Sequence, residues 1–493
     1  MTAYLKRLAS SLAAYQVADI VSKFMAVLLL PVYTRYIHPA GYGVVELLGN
    51  GVILISILVR FGMIESFLRF YYSDDDQERR DALARRAVGF LLMTTTIVSI
   101  VLAVLAAPLS RVVLGYGDPT IFRIAVLGLW AFTNLEMAYA LLRVDERLRA
   151  YATATLTNVA LTIASSLVLV VVAGEGARGL LLGNYGASTV VLLGVWWTMR
   201  DRLRPRHHPG VETHRVLFGF GLPTVPAEAS VYALSIIDRY YIFHHGRLGP
   251  SMAGLYSIAV KLAGAVAFIV RAFQYAWPPL AYSVRDDAEA ARLYGLVTTY
   301  YLLVSGLVVA GLALLGRWVL RLLAAPAYFD AYKALPWVAL GWALYGLWVV
   351  FLVIAGRAKV TTRNFPAALA GLIANVVMIV LLVPSLGIAG AGIALCGAYV
   401  VMIGVMHFLT RRAFAASFEW MRLIKLVVVF GGMSVAGELL LPTHGLVGFI
   451  SRAAVLAAMP LVLTATGFTH VEERRQARVL FARARRGIAR EPA

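Results

Sequence analysis

The chain has 493 residues, of which 60% are hydrophobic and 14% charged, and its mean hydropathy is +0.78. Soluble domains carry about a quarter charged residues, so these proportions exclude a string of soluble domains although the length allows several. The formal charge of +19 invites a nucleic-acid partner, but no aromatic-interleaved basic surface accompanies the arginines, and nucleic acid is set aside.

The apolar runs give fourteen expected spans, each about twenty residues, the length that crosses a bilayer core as a helix. The first six lie at 9–34, 41–67, 84–108, 120–142, 151–173 and 178–199. Six more follow at 217–244, 251–282, 293–316, 333–356, 364–384 and 386–410, and the last two at 422–442 and 446–467. Spans eleven and twelve meet in a tight turn at Leu386-Gly387. The first span is longer than a signal peptide's apolar stretch, carries Asp19 and Lys23, and runs on to Pro31 and Arg35, so it reads as a retained helix. The single cysteine, Cys396, sits inside an apolar span and forms no internal disulfide.

The charge is distributed unevenly along this plan. Of the 45 Lys and Arg, 31 fall at the N-terminus, beside the loops after even-numbered spans, or in the tail. Nine fall beside the other loops, and five (Lys23, Arg60, Arg239, Lys261 and Arg271) lie within spans. That asymmetry is the positive-inside pattern and places both termini in the cytoplasm. The basic tail, with Arg483, Arg485 and Arg486, suits anionic membrane lipids.

An internal repeat emerges next. Gly43, at the start of span two, matches Gly254 in span eight at an offset of 211. Gly176-Ala177-Arg178-Gly179 matches Gly387-Ile388-Ala389-Gly390 at the same offset. The expected fold class is therefore an all-α polytopic membrane protein with two pseudo-symmetric six-helix halves. These are residues 1–206 and 207–412, followed by two additional helices over 413–467 and a basic tail over 468–493. Transporters built on such repeats bind substrate near the repeat interface and expose it alternately to each side.

Three stretches carry a family resemblance. They are Ala253-Gly254-Leu255-Tyr256-Ser257-Ile258-Ala259-Val260-Lys261-Leu262, the turn Tyr36-Ile37-His38-Pro39-Ala40-Gly41-Tyr42-Gly43, and Asn375 with Leu386-Gly387-Ile388-Ala389-Gly390-Ala391-Gly392. In order and spacing they resemble the polysaccharide-lipid flippases of the multidrug and oligosaccharidyl-lipid exporter superfamily. The resemblance implies a bacterial inner-membrane flippase that moves a polyprenyl-pyrophosphate-linked oligosaccharide to the outer leaflet. It also places Lys23, Arg60 and Lys261 close to positions where a relative, the lipid II flippase, carries cavity arginines. Two of the three are lysines here, point charges that cannot make the forked contact of arginine to phosphate.

The residues themselves support the same chemistry. A charge inside the bilayer is expensive, so ionisable residues within spans are functional candidates. Lys23, Arg60, Lys261 and Arg271 form the candidate substrate-binding set for an anionic headgroup. Their bland alternatives are a pair between Lys23 and Asp19 four residues earlier, and snorkelling of Arg60 and Arg271 to headgroups. Asp19 and Glu228, on spans one and seven and equivalent in the repeat, are the candidate ion-coupling carboxylates for a proton or sodium. Asp19, Glu46, Glu65, Glu136, Glu228 and Glu438 all fall in or near apolar segments, and each has the alternative of simply partnering a cation. Pro31, Pro223, Pro226, Pro278 and Pro279 mark expected bends.

Catalytic signals are missing. Asp74-Asp75-Asp76 sits in an Arg-rich loop and reads as solvated charge, and His207-His208 and His244-His245 lack further ligands at metal spacing. No glycine loop with a phosphate-binding lysine is present. No cofactor or metal is expected, and the chain reads as a transporter, not an enzyme. The alternatives are an ion-coupled multidrug antiporter of the same superfamily and a membrane-embedded glycosyltransferase. The first favours acidic cavities for cationic drugs, and the second needs a long external loop that this chain lacks.

Overall fold

A computed structural model describes residue 25 and residues 27–469, apart from 74–75, 205–213, 235 and 247. Asp19, Lys23, Asp74-Asp75 and His207-His208 therefore lie outside the described residues. Every regular element among the described residues is helical, and twelve helices are long and apolar enough to cross a membrane. The chain is a polytopic helical membrane protein.

It divides into two compact units, Met1–Ile258 with Leu323–Asp330, and Ala259–Leu322 with Ala331–Ala493. The helices of the first unit are α1 (Leu30–Tyr36), α2 (Pro39–Val59), α3 (Met63–Tyr71), α4 (Gln77–Val104), α5 (Ala106–Leu114), α6 (Pro119–Val144), α7 (Leu148–Leu167) and α8 (Gly176–Leu203). They are followed by α9 (His214–Gly221), α10 (Thr224–Leu234) and α11 (Ile237–His244). The next helix, α12 (Gly249–Ser283), begins in the first unit and continues in the second. The second unit holds α13 (Asp287–Leu323), α14 (Leu335–Arg357), α15 (Asn364–Leu386), α16 (Ile388–Thr410), α17 (Trp420–Leu440) and α18 (Gly445–Ala465).

Span seven is the expected helix most divided in the structure. It comes in three short pieces, α9 to α11. The first break follows Gly221, where Pro223 removes a backbone donor and disfavours a helical Leu222 before it. Span two also breaks, at Arg60-Phe61-Gly62. Phe61 and Gly62 there have φ of +48° and +68°, left-handed values that let the chain turn and restart as α3. The two breaks touch. A β-carbon on Gly62 would lie 2.0 Å from the Gly221 carbonyl oxygen, and one on Gly221 would lie 2.2 Å from that of Gly62. Ser66 Oγ, one turn on, donates to the Leu217 carbonyl at 2.6 Å. The other prolines behave differently. Pro31 stands in the first turn of α1, where its missing N–H costs nothing, and α12 continues past Pro278 and Pro279 to Ser283.

Gly43 and Gly254, related by the offset of 211, lie in contact. A β-carbon on Gly43 would meet the Pro250 carbonyl oxygen at 2.1 Å, and one on Gly254 would meet that of Pro39 at 2.0 Å. The offset of 211 that relates Gly43 to Gly254 also relates Pro39 to Pro250. The starts of α2 and α12 therefore cross by exchanging equivalent contacts. Gly176 and Gly387, also related by 211, both have positive φ and both open a helix or sit directly before one. The latter makes the tight turn between α15 and α16.

One end of the first unit is tied by a polar knot. Arg202, near the end of α8, pairs with Asp81 of α4 at 2.6 Å and with Asp145, just past α6. The Tyr71 hydroxyl donates to Asp145 at 2.6 Å, and Arg85 reaches the Arg202 carbonyl. Replacing Arg202 by alanine leaves two carboxylates without their counter-charge. The expected loss is about 2 kcal/mol, below the full cost for a buried pair because these side chains are partly exposed. Arg202→Lys recovers little of it, since an ammonium cannot bridge both carboxylates with fixed geometry. Thermal unfolding of the purified variants checks this, and an unchanged midpoint for Arg202→Ala would show the knot to be idle. In the second unit, α17 and α18 pack on α13 through Leu314, Leu426, Phe430, Met459 and Leu463.

Candidate functional site

Arg60 closes α2 at the break in span two, and its guanidinium pairs with Glu228 of α10, the middle piece of broken span seven. The pair joins a candidate substrate-binding cation to a candidate ion-coupling carboxylate, 168 residues apart in the chain. Arg60 is the more enclosed partner, 11% exposed against 38% for Glu228, and its buried Nε makes no hydrogen bond. Glu136 of α6 lies within electrostatic reach of Arg60 and Arg143. Where two helices are interrupted side by side, backbone groups and charges gather inside otherwise apolar segments, an arrangement membrane proteins confine to functional paths.

Farther along span seven a second polar group collects. Asp238, at the start of α11, is 4% exposed and accepts hydrogen bonds from the Tyr256 hydroxyl of α12 and from the Arg239 backbone N–H. The Arg239 guanidinium and the Tyr232 hydroxyl both donate to Asn50 Oδ1, at 3.3 and 3.0 Å. Glu46, Asn50, Arg239 and Tyr240 border a cavity of about 300 Å³ that is otherwise apolar, lined by residues such as Ile55, Leu102, Phe122 and Leu129.

Lys261 and Arg271 are both on α12, within the second unit. Lys261 stands twelve residues past Gly249, about 18 Å along the helix. Ala259, Ala263, Val266, Val270, Trp277 and Ala281 form the buried stripe of this helix. Lys261, Gly264, Phe268, Arg271 and Tyr275 recur at three- and four-residue steps on a stripe about 150° away from it. Lys261 is half-buried, Arg271 and Tyr275 are exposed, and a β-carbon at Gly264 would touch nothing within 4 Å. The helix thus carries two cations and two aromatic rings on the face opposite its buried stripe.

Of the remaining acidic candidates, Glu438 partners both Arg317 and the fully buried Arg452. Among the described residues no group of three or more His, Cys, Asp or Glu is placed to hold a metal. The sequence singled out neither Asp238 nor Tyr71, Asp81, Asp145 and Arg202. Their signal was faint: acidic residues beside arginine-rich loops are invisible to a count of basic residues alone.

Comparison with known proteins follows the same line. A family profile described as "Polysaccharide biosynthesis protein" matches residues 8–284. No curated protein matches the chain. Among solved structures, the lipid II flippase MurJ in an inward closed conformation matches with a TM-score of 0.69 at 14% identity, over 93% of this chain and 99% of that one. An inward-facing multidrug resistance MATE transporter of the MOP superfamily matches with a TM-score of 0.62 at 14% identity, over 82% and 98%. The MATE transporter VcmN of Vibrio cholerae, in its bent form, gives 0.54 at 12% identity, over 84% and 97%. At these identities the likeness is one of fold. With that profile covering more than half of its residues, the chain belongs to the polysaccharide biosynthesis protein family, and its fold is one it shares with the flippase and the MATE transporters above.

Proposed function

We propose that this protein is a flippase of the bacterial inner membrane that carries a polyprenyl-pyrophosphate-linked oligosaccharide from the cytoplasmic to the outer leaflet by alternating access. Both termini are assigned to the cytoplasm from the distribution of Lys and Arg. The observation that carries the reading is the face of α12 opposite its buried stripe, where Lys261 and Arg271 stand for the pyrophosphate and Phe268 and Tyr275 for flatter groups. Lys23 and Arg60 are proposed to meet the same headgroup at other stages of its passage. Asp19 and Glu228 are the proposed carriers of the coupling proton or sodium. A cationic face of this kind favours an anionic guest over a cationic drug, which sets the flippase apart from a multidrug antiporter.

Deleting the gene is expected to leave the lipid-linked glycan on the cytoplasmic leaflet, shielded from a glycosidase added outside spheroplasts. The intact gene restores its cleavage. Lys261→Ala, at native protein level, lowers export at least about tenfold, while Lys261→Arg keeps part of it because the charge persists. A glycan equally open to the enzyme with and without the gene, together with lost resistance to cationic dyes, would make the protein a drug exporter.

A further inference from the structure

A second polar cavity, of about 370 Å³, opens in the first unit. It lies where the first turns of α2 meet the turn before α6 and the turn before α8, lined by Gly41, Tyr116, Asp118, Gly174, Glu175 and Arg178 among others. Unlike the cavity beside Asn50, it is walled mainly by polar groups. Arg178 Nη2 donates to Asp118 Oδ2 at 3.0 Å, and Asp118 Oδ1 accepts from the Ile121 N–H at 3.1 Å. Asp118 is thereby fixed, and it holds the guanidinium with its other N–H groups still to be placed. Gly174 and Gly176 flank Glu175 with φ of +71° and +51°, yet a β-carbon at either would touch nothing within 4 Å. Glycine is needed there for the backbone turn alone, and the turn brings the exposed Glu175 to the cavity beside Arg178. Tyr116 is 46% exposed. Burial, then the Asp118 charge, raise its phenol above the ordinary value.

The chemistry of this wall selects its ligand. A hard divalent cation wants about six oxygen ligands, and with both Asp118 oxygens engaged the cavity offers one free carboxylate. A phosphate would meet one arginine already paired and two carboxylates. An apolar chain would strip water from the charged groups for no return. A sugar ring suits all of them: its hydroxyls donate to Glu175 and accept from Arg178, and its C–H face lies on the Tyr116 ring. We propose that this cavity is a carbohydrate-binding subsite on the outer side of the membrane, holding sugar rings of the glycan as it leaves. Its cargo rests on the proposed flippase function, and its outward placement on the orientation argued from the charge distribution.

The test uses the full-length protein in phospholipid nanodiscs, with no sugar-based detergent. Saturation-transfer NMR is recorded with glucose, galactose, mannose, rhamnose and N-acetylglucosamine, each separately at millimolar concentration. Transfer to the ring protons of at least one sugar is expected, falling about fivefold or more in Tyr116→Ala and in Glu175→Gln. Both positions are exposed enough for the variants to fold, which thermal unfolding of the same samples verifies. Absence of transfer from all five sugars, or transfer unchanged in both variants, overturns the subsite. Placement is tested apart, in intact cells, with Glu175→Cys and a membrane-impermeant maleimide. The native Cys396 is buried and leaves the new thiol as the reactive one. Labelling from outside, slowed by the sugar that gave NMR transfer, is expected. Labelling only after the cells are opened overturns the release role and the orientation, while the nanodisc result still judges the sugar site on its own.

Discussion

Replacing Gly43 by alanine is expected to lower the yield of folded protein sharply and its unfolding midpoint by at least about 5 °C. The added β-carbon would stand 2.1 Å from the Pro250 carbonyl oxygen. Its neighbour is backbone, not a flexible side chain, so relief requires one helix to move. Overpacking costs about 1–3 kcal/mol where side chains can adjust, and here they cannot. Gly254→Ala meets the equivalent obstacle at Pro39, so the two variants should fall together, and the double variant should not accumulate. Gly51→Ala is the control. It lies on the same helix as Gly43 with nothing within 4 Å of the new carbon, and exchanging glycine for alanine in a helix gains up to about 1 kcal/mol. Gly43→Ala as stable as Gly51→Ala would mean that the α2–α12 crossing is looser than it stands here.

The same crossing shows what a sequence can and cannot disclose. The offset of 211 was legible because glycine at a close approach is a constraint of one residue type at one position. The tight turn at Gly387 and the break after Gly221 were legible for a related reason, since glycine and proline act on their own backbone. Pairings across the chain were not. Nothing near Arg60 in sequence points to Glu228, because an ion pair asks only that two charges meet, and any of several carboxylates in apolar segments satisfies that demand. The Arg202 knot was hidden differently: its acids stand among basic loop residues, where solvated charge is the ordinary expectation. The second break in span seven, between α10 and α11, carries no proline, and its consequence, a buried Asp238 held by Tyr256, could not be read from neighbours.

The Arg60–Glu228 pair is where the next large effect is expected, and its variants separate two roles for the arginine. Arg60→Ala leaves Glu228 facing an apolar span without its partner, beside the touching breaks at Gly62 and Gly221. Breaking a buried ion pair costs about 3–5 kcal/mol, and the 38% exposure of Glu228 makes the cost here smaller. Folding should therefore survive while glycan export is lost. Glu228→Gln keeps a hydrogen-bonding group and removes the negative charge, so under the proposed coupling role it too stops export, and it also costs some stability because the more enclosed Arg60 loses its counter-charge. The deciding variant exchanges the two residues, Arg60→Glu with Glu228→Arg. If the pair only holds α2 to α10, the exchange restores both stability and export, because attraction is indifferent to which helix carries which sign. If Arg60 meets the pyrophosphate, the exchange restores stability alone, since the forked donor now sits on α10 and a carboxylate stands where the anion must pass. The second outcome is the one expected. Normal export by Arg60→Ala at native protein level would remove both roles at once.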